Sequence, residues 1–128
     1  MKILFIEDDP MNRRVVNDML DVGGAEMIGA ETGEIGLGLI ETTDFDMVLL
    51  DLRMPGMDGL EALRHIRART DAKGKLPVVV LTADTAIDLR ETCLKEGADE
   101  VLFKPVAMDS LFDAIGRMLA KGGGGLIG

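Results

Sequence analysis

Four times in this 128-residue chain, an uninterrupted apolar run ends abruptly on a reactive polar group. Ile3-Leu4-Phe5-Ile6 meets Glu7-Asp8, and Met47-Val48-Leu49-Leu50 meets Asp51. Val78-Val79-Val80-Leu81 meets Thr82, and Val101-Leu102-Phe103 meets Lys104-Pro105. Short apolar runs separated by helix-like segments predict buried parallel strands. Alternation of this kind leads to a right-handed doubly wound α/β sandwich. Ligands of open parallel sheets bind beyond the carboxyl ends of the strands. Placed side by side, these strands bring three acids, a hydroxyl and an ammonium to one rim, which suits a divalent cation and a phosphoryl group.

The segments between the runs carry helical signals. Pro10 suits a first helical turn, Met11, Val15, Val16, Met19 and Leu20 recur at helical spacing, and Gly23-Gly24 stop the segment. A further strand is expected over 25–30 and a second helix over 33–41, the latter weakened by Gly36 and Gly38. A third helix presents Leu60, Leu63 and Ile66 on one face and Glu61, Arg64 and Arg67 on the other. The polar stretch 70–76 reads as a connection. A fourth helix is predicted over 86–96, closed by Gly97, and a fifth buries Leu111, Ile115, Met118 and Leu119. Residues 1–121 thus read as one domain and 122–128 as a glycine-rich tail or linker.

The totals narrow the class. Composition is 47% hydrophobic and 29% charged, which suits a folded domain able to bury a core without disulfides. A net charge of −9 disfavours a nucleic-acid surface. No apolar stretch approaches the ~20 residues that span a bilayer. The single Cys93 fits a reducing compartment, and Met1-Lys2-Ile3 runs straight into the first strand, so a cytoplasmic location is expected.

The chemistry follows from the residue types. Asp51 offers a carboxylate nucleophile able to take a phosphoryl group as an acyl phosphate. Glu7 and Asp8 supply oxygen ligands for Mg²⁺, which lets two anions approach each other. Lys104 brings a positive charge and Thr82 a hydroxyl donor to the phosphoryl oxygens. Singly, each has a plainer role: Asp51 a loop cap, Glu7-Asp8-Asp9 an acidic helix start, Thr82 a helix cap, Lys104 a solvated cation. Jointly they make a site, with Asp9 a cap rather than a ligand. His65 is expected in a surface ion pair with Glu61, Cys93 in the core, and most of the nine methionines on core faces. Met54 and Met57 are expected to pack beneath the loop that follows Asp51, and Met11 and Asn12 either to border the site entrance or to form a plain exposed first turn.

The segment Asp51-Leu52-Arg53-Met54-Pro55-Gly56-Met57-Asp58-Gly59 resembles the phosphoacceptor loop of response-regulator receiver domains. The same holds for Glu7-Asp8-Asp9, Thr82-Ala83, and Gly97-Ala98-Asp99 through Lys104-Pro105, in order, over residues 2–120. The resemblance implies a flavodoxin-like (βα)5 three-layer sandwich with parallel strand order 2-1-3-4-5. It implies that Asp51 is the phosphoacceptor in a two-component phosphorelay. Asp8, Asp51 and the Arg53 backbone carbonyl would ligate Mg²⁺, with Glu7 acting through water. Thr82 would move toward the phosphoryl group, Lys104 would contact it, and the Lys104-Pro105 bond would be cis. The implied donor is a sensor histidine kinase or histidine phosphotransfer protein, and the output a downstream protein target met through the fourth helix, fifth strand and fifth helix; on charge and hydropathy, neither nucleic acid nor membrane is expected as a partner.

The chain also departs from the family pattern. Glu7 stands for the commoner aspartate, and Val101 occupies the position of an aromatic switch residue. Phe103 is expected to face the other way on the strand and not to stand in. Arg53 and Asp84, at positions that tune phosphate lifetime in relatives, would pair across the entrance and slow water attack. Three rivals fit less well. An aspartyl-phosphate hydrolase needs a second acid two residues after the nucleophile, where this chain has Arg53, so turnover of an external substrate is not expected. A non-phosphorylated pseudo-receiver would have lost the nucleophile, the acid pair or the lysine. A flavin-binding protein favours aromatic stacking surfaces, and this chain has four Phe, no Trp and no Tyr.

Overall fold

A computed structural model describes residues 1–122. The rest of the tail expected from Gly122 onward lies outside the described residues. Five parallel strands form one sheet: β1 (Lys2–Ile6), β2 (Glu26–Ala30), β3 (Met47–Asp51), β4 (Val78–Thr82) and β5 (Glu100–Phe103). Their order is β2-β1-β3-β4-β5, as the resemblance implies. Five helices connect or follow them: α1 (Pro10–Val22), α2 (Gly33–Thr42), α3 (Gly59–Arg67), α4 (Leu89–Lys95) and α5 (Met108–Gly122). A short 3-10 turn, Ala72–Lys75, interrupts the connection before β4.

Strand alternation divides the core in two. Leu4, Ile6, Val48, Leu50, Val78 and Val80 pack on the side of α2, α3 and α4 with Leu63, Ile66 and Cys93. Ile3, Phe5, Met47, Leu49, Val79 and Leu81 pack on the other side with Val16 and Leu20 of α1 and Leu111 and Met118 of α5. Every residue of β3 and β4 is buried, which is why these runs are apolar up to their last residues, Asp51 and Thr82. Burial also pushes the Cys93 thiol up, so it behaves as a small apolar residue.

Gly36 and Gly38 of α2 have opposite surroundings. A Cβ on Gly36 would run into the Ile6 side chain, whereas one on Gly38 meets nothing within 4 Å. Gly36 is therefore what lets α2 close on β1. Gly38→Ala is expected to raise stability by up to about 1 kcal/mol, the helical cost of glycine. Gly36→Ala should lower it by about 1–3 kcal/mol through overpacking. Chemical denaturation of the two variants checks the opposite signs.

Several sequence expectations need correction. The fourth helix starts at Leu89, not at 86. Thr82 Oγ1 accepts from the Asp84 N–H at 3.1 Å and Asp84 Oδ1 from the Ala86 N–H at 3.0 Å, so local side-chain turns shape the lead into α4. Ile87 consequently stands fully exposed. Arg67 is not on a solvated face: it is half-buried and donates to the carbonyls of Gly74, Leu76 and Gly97 and to Asp99. His65 is exposed but pairs with no acid among the described residues; Arg64 on the same helix pairs with Glu96 instead. Leu119 is largely exposed, and Ala114 takes its place in the buried face of α5. Of the methionines, Met47, Met54 and Met118 are buried but Met11 and Met108 are exposed. Val101 and Leu102 belong to opposite halves of the core, so alternation returns Phe103 to the Val101 side of the sheet.

Candidate functional site

The acids sit where the two central strands stop. Glu7 and Asp8 follow β1, Asp51 is the last residue of β3, Thr82 the last of β4, and Lys104 follows β5. Pairing of β1 with β3 and of β3 with β4 carries these ends to one rim. One carboxylate oxygen from each of Glu7, Asp8 and Asp51 lies within 4.8 Å of the others. Glu7 is 1% exposed and Asp51 4%, while Asp8 is open to solvent. The structure thus brings together three of the acids expected at the rim, Glu7, Asp8 and Asp51.

The loop after β3 is shaped to present Asp51. Gly56 adopts φ 76°, a conformation that other residues avoid. Asp58 caps α3 by accepting from the Glu61 N–H at 2.9 Å. Gly59 begins that helix against the backbone of Asp51 and Leu52, and a Cβ there would lie 2.6 Å from Leu52 Cα. Its N–H donates to the Leu52 carbonyl at 3.0 Å. The Arg53 N–H approaches Asp51 Oδ1 at 3.4 Å. Met54 is buried and Met57 packs against Gly33 of α2, so both support the loop from beneath.

Lys104 is the resident cation of the rim. Its Nζ lies 2.6 Å from Glu7 Oε1 and 3.5 Å from Asp51 Oδ1. The Lys104 N–H donates to the Thr82 carbonyl at 2.8 Å, and the Lys104-Pro105 peptide is cis. The lysine thus rests chiefly on Glu7, a partner that residue spacing did not reveal. Glu7 Oε2 accepts from the Asp9 N–H at 3.3 Å, and Asp9 itself caps α1 by accepting from the Met11 N–H at 2.9 Å. Desolvation, followed by a hydrogen bond shared with Glu7, pushes the Asp8 carboxyl above its ordinary range. Three crowded carboxylates with one ammonium leave an excess of negative charge, and an all-oxygen donor set of this kind fits a hard divalent cation such as Mg²⁺.

At the entrance, Arg53 Nη2 and Asp84 Oδ2 form a close ion pair linking the β3 and β4 loops. That pair holds the Asp84 carboxyl below its usual range, with help from the Ala86 N–H. It flanks a cleft of about 520 Å³ lined by Leu52, Met54, Pro55, Leu60 and Leu89. On the other side of the rim, α1 and the residues after β5 enclose a second groove of about 440 Å³.

The chain matches the response regulator receiver domain family over residues 3–116. It is 34% identical to the sensor protein GacS of Pseudomonas syringae over 116 residues, 89% of this chain and 13% of that protein. It is 32% identical to the cell cycle transcriptional regulator CtrA of Caulobacter vibrioides over 124 residues, 97% of this chain and 52% of that protein. The chain therefore spans from about an eighth to half of these relatives. Among solved structures, the receiver domain of the sensor histidine kinase PA1611 from Pseudomonas aeruginosa is 32% identical with a TM-score of 0.84, covering 93% of this chain and 97% of that one. That structure holds a magnesium ion in its active-site cleft. The chemotaxis protein CheY4 of Vibrio cholerae is 28% identical with a TM-score of 0.84, covering 92% of this chain and 98% of that one. With the strand order, the acid cluster and these likenesses together, the chain belongs to the response regulator receiver domains, signalling modules of two-component systems.

Proposed function

We propose that this domain accepts a phosphoryl group on Asp51 from a partner's phosphohistidine, with Mg²⁺ bound by Asp8, Asp51 and the Arg53 carbonyl and, through water, Glu7. The carrying observation is the convergence of three carboxylates within 4.8 Å beside the Lys104 ammonium. The metal supplies charge neutralisation between nucleophile and phosphoryl group. An Asp51 carboxylate oxygen attacks phosphorus, the P–N bond to the donor imidazole breaks, and the imidazole leaves with the bonding pair and takes up a proton. Lys104 neutralises charge on the transferring oxygens, and Thr82 turns its hydroxyl toward them. Contacts made only in the phosphorylated state then bias the surface of α4, β5 and α5 toward a downstream protein.

The donor is a sensor kinase or a histidine phosphotransfer protein. Met11 and Val15 are exposed on α1 beside the groove containing Asn12, Met19, Pro105 and Val106, an apolar collar at the site entrance. Net charge of −9 speaks against nucleic acid. Among the described residues, no helix is long and apolar enough to cross a membrane, and the cytoplasm, where such donors act, is the proposed location. The only reactions expected are acceptance and self-catalysed loss of the phosphoryl group.

The test is intact-mass spectrometry after incubation with a small phosphodonor and Mg²⁺. A labile gain of about 80 Da, one phosphoryl group on a carboxylate, is expected. It should vanish in Asp51→Asn and with chelator. A stable gain in Asp51→Asn would refute the assignment.

Arg53 and Asp84 bear on how long that group survives. Their ion pair links the loops that follow β3 and β4, where it would hinder the approach of water. Arg53→Ala is expected to shorten the phosphate lifetime roughly two- to fivefold, the scale of one exposed pair. Timing the decay of the phosphorylated mass checks this, and an unchanged lifetime would dismiss a shielding role.

A further inference from the structure

Arg13 is the one basic side chain of α1 that turns back toward the acids, and the sheet has a seat for it. Its Nη1 donates to the Glu7 carbonyl at 2.6 Å. Its aliphatic stem crosses Gly29 of β2, where a Cβ would lie 2.8 Å from Arg13 Cδ and 3.4 Å from Nε. Any side chain at 29 would therefore displace the arginine. The Glu7 N–H donates to the Ala30 carbonyl at 2.9 Å, so β2 holds Glu7 from one side and Arg13 from the other. With Lys104 on Oε1 and the Asp9 N–H on Oε2, each polar atom of Glu7 has a partner.

We propose that Arg13, seated on Gly29, is a positioning residue that fixes the peptide joining Glu7 to Asp8 and so aims both carboxylates at the metal position. The inference rests on the Mg²⁺ reading above. A charge-assisted hydrogen bond to a carbonyl is stronger than a neutral one and restrains the peptide's rotation. Groups that orient metal ligands from behind commonly change metal affinity by about ten- to a hundredfold when removed. Electrostatics alone predicts the opposite sign: deleting a cation near three carboxylates should tighten Mg²⁺ binding. The direction of the change therefore separates positioning from charge.

The experiment is calorimetric titration of Mg²⁺ into the full chain and into Arg13→Ala, Arg13→Lys, Gly29→Ala and the Arg13→Ala/Gly29→Ala double variant. Thermal melts in chelator establish that each is folded. Arg13→Ala and Gly29→Ala should each weaken binding about tenfold, and Arg13→Lys should recover part of the loss. The double variant should be no weaker than Arg13→Ala, because the glycine acts only through the arginine. In metal-free protein, the amide resonances of Glu7, Asp8 and Asp9 should shift in Arg13→Ala and in Gly29→Ala. Unchanged or tighter binding in a folded Arg13→Ala, or losses that add in the double variant, would overturn the proposal. If the parent chain itself binds no Mg²⁺, the functional reading fails before the variants are compared.

Discussion

Lys104→Met is expected to slow phosphoryl acceptance at Asp51 by about a hundred- to a thousandfold, the scale for removing one preorganised charge donor. The same change should tighten Mg²⁺ binding. Lys104 Nζ lies 2.6 Å from Glu7 and 3.5 Å from Asp51, so the ammonium neutralises carboxylates that a bound metal would also neutralise. Removing the ammonium leaves Glu7, 1% exposed, without its cation. Orphaning one partner of a buried pair costs about 3–5 kcal/mol. Because the lysine is one-fifth exposed, about 2–3 kcal/mol is the better expectation here, measured in chelator. Millimolar Mg²⁺ should restore much of it, since a ligand bound only by the folded state stabilises that state. Denaturation with and without the metal, beside calorimetry and phosphorylation kinetics, measures all three effects. Equal stability of parent and variant in chelator would show that Lys104 does not hold Glu7 in solution.

What was legible in the sequence was the set of strand ends. A run such as Val78 to Leu81 has no polar position because both faces of β4 are covered, and it stops at Thr82 because the rim begins there. Strand order came from resemblance, since periodicity says nothing about which strands are neighbours. Two of the misses share a cause: side chains that bond locally or reach further than a face diagram allows. Thr82 and Asp84 each bond the amide two residues on and hold the lead into α4 in local turns. Arg67, on the polar face of α3, lays its stem against Gly97 and sets its head between the leads into β4 and β5. Phe103 lies two residues from Val101, one full period of a strand, so parity puts both on one side of the sheet. Beside Thr82 in register, it brings an aromatic to the side where the family pattern has one. The Glu7–Lys104 contact joins residues 97 positions apart and had no sequence signal beyond opposite charge.

The largest loss of stability is expected from Arg67. Its guanidinium donates to the carbonyls of Gly74, Leu76 and Gly97 at 2.7–2.9 Å and to Asp99 Oδ2 at 3.0 Å. Asp99 Oδ2 also accepts from the Val78 N–H at 2.9 Å, so one ion pair fastens the starts of β4 and β5 to the end of α3. Burial pulls the guanidinium below its usual value, yet an arginine in such a place stays charged. Arg67→Ala leaves three carbonyls and a carboxylate short of a donor, and about 3–5 kcal/mol should be lost, the cost of breaking a partly buried charged network. Arg67→Lys retains charge but cannot reach all four acceptors, so a loss of about 2–3 kcal/mol is expected. These contacts lie at the opposite end of the strands from Asp51. The phosphorylation rate of the folded fraction should therefore remain within about twofold of the parent, as expected for distant, independent sites. Urea denaturation paired with phosphorylation kinetics at low temperature separates the two readouts. A variant that unfolds as the parent does would show the network to be idle. One that is stable but slow would show instead that the strand starts govern the geometry of the strand ends.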